Sequence, residues 1–133
     1  MVPLQDVTWI KHLYSANQVE RFDRGRFRVA AVALPETAMH HNERYRFRLL
    51  FFEATTATPV MAVNIESDML GGWHLTLQTG SSRKVAASYD RPPAYEDFRV
   101  AALALADAEI AAQPAAPPAT APRKPRRRAR TGG

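Results

Sequence analysis

An imidazole a few residues from carboxylates can move protons, and this sequence offers one such neighbourhood in Glu66, Asp68 and His74, around a single predicted turn. A carboxylate beside an imidazole suits general acid–base work. No nucleophile, oxyanion donor or phosphate loop accompanies them in the sequence: Gly71-Gly72 sits in no glycine-rich phosphate-binding pattern. Ser81-Ser82 reads as a pair of ordinary turn formers. A second cluster, His40-His41-Asn42-Glu43, carries metal-ligating residue types. Two ligands from adjacent positions do not make a site, and nothing in the spacing brings His12 and His74 to them. The expectation is a chain without metal or cofactor, acting as a binding or accessory protein rather than as an enzyme.

The densest charge lies near the end of the sequence, in Arg123, Lys124, Arg126, Arg127, Arg128 and Arg130. A block of this kind binds polyanions by releasing their counterions, without reading sequence. Nucleic acid is therefore the partner expected of the tail; the plain alternative is a solubilising arm. These six are part of 18 basic residues, and the other 12 face 13 acidic ones, so the rest of the chain carries a net charge of −1. The high isoelectric point belongs to the tail. From Gln113 onward the chain is rich in Pro, Ala and Arg and has no large apolar residue. Such a segment cannot bury enough surface to offset its ordering entropy. The predicted organisation is one α+β domain over 1–112 and a disordered basic tail over 113–133.

The absence of cysteine excludes disulfides, thiolate chemistry and Cys-ligated zinc, and fits a reducing compartment, so a cytoplasmic location is expected. The first residues lack a basic stretch followed by an apolar run, and no apolar run is long enough to cross a bilayer. No membrane partner is expected.

Period-two patterning organises the middle of the chain. In RYRFRLLFFE (44–53) Tyr45, Phe47, Leu49 and Phe51 alternate with arginines, the signature of a half-buried strand. Strands are also predicted at 60–66, 73–79 and 83–89, and a turn at Asp23-Arg24-Gly25 separates two earlier ones. Residues 4–16 follow helical spacing with Asp6 as a possible cap, although an alternating reading also exists. The last element, 94–112, is an Ala/Leu-rich helix with Tyr95, Phe98, Ala102 and Leu105 as its apolar stripe. The fold class is α+β: a twisted antiparallel meander of five or six strands. The C-terminal helix, joined by the N-terminal one, packs on one face, and the other face is open to solvent or a partner.

The strands can be aligned so that apolar residues meet throughout. Phe51 then faces Met61, Leu49 faces Val63 and Phe47 faces Ile65. Ile65 faces Trp73, Val63 faces Leu75 and Met61 faces Leu77; Leu77 faces Val85, Leu75 faces Ala87 and Trp73 faces Tyr89. The same alignment gathers Arg44, Arg46, Arg48, Asn64, His74 and Lys84 on the opposite face, with Arg46 across from Glu66, Asn64 beside His74 and Gln78 beside Lys84; Arg26 and Arg28 extend the set. That surface could hold a phosphate backbone or dock a protein. Its plain reading is a solvated face with charges paired across strands. Exposed aromatics for base stacking are few on it, Phe52 being the clear one.

Overall fold

A computed structural model describes residues 1–4, 15–35 and 44–113. Six strands follow one another: β1 (Gln18–Arg24), β2 (Phe27–Ala33), β3 (Tyr45–Phe52), β4 (Met61–Ser67), β5 (Trp73–Thr79) and β6 (Ser82–Tyr89). One helix, α1 (Tyr95–Ala112), closes the described chain. The strands form a single antiparallel sheet in sequence order, each paired with its neighbours, so the predicted meander is present with all six strands. The helix expected over 4–16 and the tail fall almost wholly on residues outside the described set.

Alternation builds the main core. Phe27, Val29 and Ala31 of β2, Phe47, Leu49 and Phe51 of β3, Met61, Val63 and Ile65 of β4, and Leu75 and Leu77 of β5 line one face and are buried. Helix α1 lies over β3, β4 and β5. It buries Phe98, Ala102, Leu103 and Ala106, residues on successive turns of one side. The ring of Phe98 stacks on Phe47 at 5.4 Å, and Tyr95 meets Phe47 edge-on at 5.6 Å. Two tight hairpins depend on glycine: Gly25 and Gly80 each start a two-residue loop with φ near +60°.

Helix and sheet edge are tied by polar contacts as well. The carboxylate of Glu20 on β1 accepts the Tyr95 hydroxyl at 2.5 Å and Arg99 Nε at 2.7 Å. Arg24 reaches Asp107 from Nε at 3.1 Å. The Tyr95 hydroxyl, and then Arg99, hold the Glu20 carboxyl below its ordinary value of 4.5. A depressed carboxylate contributes stability above its unfolded pKa and loses it as pH falls through the folded one. Glu20→Gln should therefore weaken the protein at pH 7 and flatten the decline in its urea midpoint below pH 4.5. An unchanged acid limb in the variant would show that this clamp does not contribute.

Three details of register differ from the sequence-based alignment. Between β4 and β5 the pairing is displaced by two residues: Ile65 faces Leu75, Val63 faces Leu77 and Ser67 faces Trp73. The turn at 68–72 is tighter than expected, closed by the Asp68 N–H donating to the Gly72 carbonyl at 3.0 Å. A displacement of two keeps every residue on its face, so alternation cannot detect it.

The other two differences are one-residue bulges, which change sidedness. At Arg46 the bulge turns Tyr45 to the far face, opposite Glu66. Arg46 itself donates from Nη1 to the Leu34 carbonyl and lies 4.8 Å from the Phe47 ring centre. At Ala86 the bulge separates the Leu75–Ala87 pair from the Thr76–Val85 pair. Beyond it Arg83 and Val85 take the far face, and Lys84 falls on the helix side, where its Nζ meets Glu109 of α1 at 3.4 Å.

The far face is also not the open surface expected. Leu4, Val32, Leu34, Leu50 and Ala62 form a second buried cluster there, with Tyr45 and Phe52 packed against it. The Leu4 N–H donates to the Pro59 carbonyl at 2.8 Å, anchoring the start of the chain beside this layer. Strands β2 and β3 are apolar on both faces, in the runs VAAVAL and LLFF, as strands covered on both sides are.

Candidate functional site

The far-face residues singled out from the sequence separate into a buried group and an exposed rim. Arg48 is 1% exposed and Asn64, Glu66, Thr76 and Gln78 are likewise buried. They are adjacent because β3, β4 and β5 place Arg48 opposite Asn64 and Asn64 opposite Thr76. Arg48 donates from Nε to Asn64 Oδ1 and from Nη2 to Gln78 Oε1, both at 2.7 Å. Its guanidinium lies 3.9 Å from the Tyr45 ring centre, a cation–π contact. Asn64 Nδ2 donates to Thr76 Oγ1 at 3.1 Å, and the Thr76 hydroxyl donates onward to Glu66 Oε1 at 3.0 Å.

The hydrogen-bonded chain ends at the rim. Arg83 grips Glu66 with both Nε and Nη2, at 3.2 and 3.0 Å, and Arg44 approaches the same carboxylate at 3.5 Å. A guanidinium matches a carboxylate with two parallel bonds, which fixes orientation as well as charge. Arg83 thus takes the place given to Arg46 in the sequence-based alignment. Arg83 was legible as a basic residue, but the bulge that turns it toward Glu66 has no sequence signal beyond the hairpin glycine.

His74 stands apart from these residues at the β5 rim. It faces Glu66 in the register but bonds elsewhere, to Asp68 and Ser88. Lys84 is on the helix side of the sheet, remote in direction from Arg44 and Arg48. The tail residues Arg123, Lys124, Arg126, Arg127, Arg128 and Arg130, and His40 and His41, lie outside the described residues.

A basic groove that sequence reasoning missed lies at the β1 side of the sheet. It encloses about 510 Å³ and is lined by Arg21, Arg28, Gln18, Phe52, Thr55 and Thr56 among others, with no acidic residue in its wall. Arg21 and Arg28 are both exposed. Arg28 is positioned by the Thr56 carbonyl at 3.4 Å and by the Phe52 ring at 5.7 Å. The signal that would have found it is alternation on β1: with Phe22 turned to the helix side, Arg21 must face outward, next to the Arg28 end of β2. Among the described residues no helix is long and apolar enough to cross a membrane. Comparison with family models, with curated proteins and with solved structures finds no match to this chain.

Proposed function

We propose that this chain is a binding protein that engages nucleic acid through its basic groove and its arginine-rich tail. The observation that carries this reading is the groove itself: two exposed guanidiniums and two threonines, Thr55 and Thr56, in a wall free of carboxylates. Guanidiniums suit phosphate oxygens by geometry as well as charge. The six basic residues of 123–130 add affinity that is independent of sequence.

Affinity for RNA and DNA measured against salt tests it. The full chain should bind at low salt, with log K falling linearly in log salt. Deleting residues 114–133 should make that slope shallower by about 0.7–0.9 for each phosphate the tail neutralises. Arg21→Glu combined with Arg28→Glu should weaken the truncated chain about tenfold or more, because two cations that would meet phosphates become anions that repel them. A full chain with no binding at about 50 mM salt, where such attraction is strongest, ends the reading.

A protein partner at the β6 edge is the second reading. It is favoured by the exposure of that strand, on which Val85 is 52% exposed. An extended segment can add to such an edge, and capture of that partner would survive removal of the tail.

A further inference from the structure

Independently of nucleic-acid binding, the β4–β5 turn builds a hydrogen-bonded chain of the three residue types that nucleophilic catalysis uses. His74 on β5 pairs in register with Ser88 on β6. Its Nδ1 lies 2.8 Å from Ser88 Oγ, and its Nε2 lies 3.2 Å from Asp68 Oδ2. The proton positions follow from chemistry. An ionised carboxylate only accepts, so Nε2 carries the ring hydrogen and donates it to Asp68. In the neutral ring Nδ1 then presents its lone pair, and the Ser88 hydroxyl donates to it.

Asp68 is held firmly for this role. Its Oδ1 accepts the backbone N–H groups of Leu70 at 2.8 Å and Gly72 at 2.9 Å. Those two bonds, and His74 after them, keep its carboxyl below the ordinary value of 3.8. The turn is shaped around the carboxylate: a Cβ at Gly72 would lie 2.5 Å from Asp68 Oδ2. Met69 adopts φ of 66°, left-handed backbone that a side chain of its kind rarely takes. This turn holds out two apolar side chains, Met69 at 54% and Leu70 at 91% exposure. Strain and exposed apolar surface beside an ordered Ser–His–Asp chain are features that packing alone does not call for.

We propose that Ser88 is a nucleophile activated by His74 and positioned through Asp68, and that it accepts acyl groups from carboxylic esters with an apolar acyl chain. In the first step Ser88 Oγ bonds to the ester carbonyl carbon while its proton passes to His74 Nδ1. The tetrahedral adduct then breaks its bond to the alkoxide, which leaves with that proton as the alcohol, and the acyl group stays on Ser88. Water, giving its proton to Nδ1, attacks the acyl carbon. The carboxylic acid departs, and the proton returns to Ser88. Ester and water become acid and alcohol with no change of oxidation state. Met69 and Leu70 supply apolar surface for the acyl chain.

The test treats the full chain with a fluorophosphonate and, separately, with p-nitrophenyl butyrate, and locates the adduct by peptide mass spectrometry. Ser81 and Ser82, both exposed, serve as reference serines in the same molecule. Ser88 should be modified at least tenfold faster than either. His74→Ala should remove that advantage and added imidazole should restore part of it, a rescue that a purely structural histidine would not show. Asp68→Asn should slow modification of Ser88 while leaving Ser81 and Ser82 unchanged. The proposal is overturned by no adduct at Ser88, by a rate no greater than at the reference serines, or by an undiminished rate in His74→Ala.

Discussion

Arg48→Ala should destabilise the protein by about 3–5 kcal/mol: Asn64 Oδ1 loses its guanidinium donor, Gln78 Oε1 loses one of two donors and keeps Asn64 Nδ2, charge-assisted bonds are worth roughly 1.5–3 kcal/mol each, and a cavity opens beside Tyr45. Arg48 is the one described side chain that bonds both Asn64 and Gln78 from a single charged group. Arg48→Lys should recover only part of the loss. An ammonium on a flexible stem keeps the charge but cannot reproduce the planar fork that spans Asn64 and Gln78. Urea unfolding checks this. With a slope of about 1–3 kcal/mol per molar, the midpoint of Arg48→Ala should fall by about 2 M. A drop corresponding to under about 1 kcal/mol would mean that water satisfies these groups and that the layer is not closed.

Phe98→Ala is the second large effect, with an expected loss of about 3–5 kcal/mol for a buried aromatic whose site collapses only partly. Phe98 joins α1 to the sheet through Phe47; the side-chain ties of Tyr95, Arg99 and Asp107 to β1 add to this, but the helix termini themselves are poorly capped. Its N-cap, Ala94, offers no side-chain acceptor, and its last turn has no basic residue to meet the exposed carbonyls. Stability of α1 therefore rests on packing rather than on its termini. Val100, on the same helix and 70% exposed, is the control: Val100→Ala should change stability by less than about 0.5 kcal/mol, or raise it slightly through helix propensity. Equal losses at the two positions would show that the helix does not dock on Phe47 as described.

Strand existence and inner sidedness were readable because β3, β4 and β5 alternate cleanly on the face beneath α1. Phe47, Leu49, Val63, Ile65, Leu75 and Leu77 all stand where period two places them. What alternation could not supply was the pairing at β4–β5, since displacement by two residues conserves the faces. Nor could it supply the bulges at Arg46 and Ala86, each of which puts one unpaired residue into a strand and reverses the faces beyond it.

The candidate site suffered most from this. Sidedness for Tyr45, Arg83, Lys84 and Val85 was reversed by those two single residues. Burial of Arg48 and Asn64 was hidden for another reason. Polar residues on a strand ordinarily mean solvent, whereas here the apolar companions Val32, Leu50 and Ala62 on the same face mark a second packed layer. The Ser88 partner of His74 was implicit in the alignment, because pairing Leu75 with Ala87 and Trp73 with Tyr89 sets His74 opposite Ser88; the pattern supplied the register position but not the hydrogen bond between the two side chains.

The sequential order of the sheet also shapes how the chain reaches this structure. Each ladder joins segments adjacent in sequence, so the sheet can grow by successive local closures with little loop entropy at any step. Among the described residues, hydrogen bonds of large sequence separation run from α1 back to β1, Tyr95 and Arg99 to Glu20 and Asp107 to Arg24. Those links form only after the first strand and the last helix coexist, so they report completion of folding, while the ribbon between them can assemble on its own schedule.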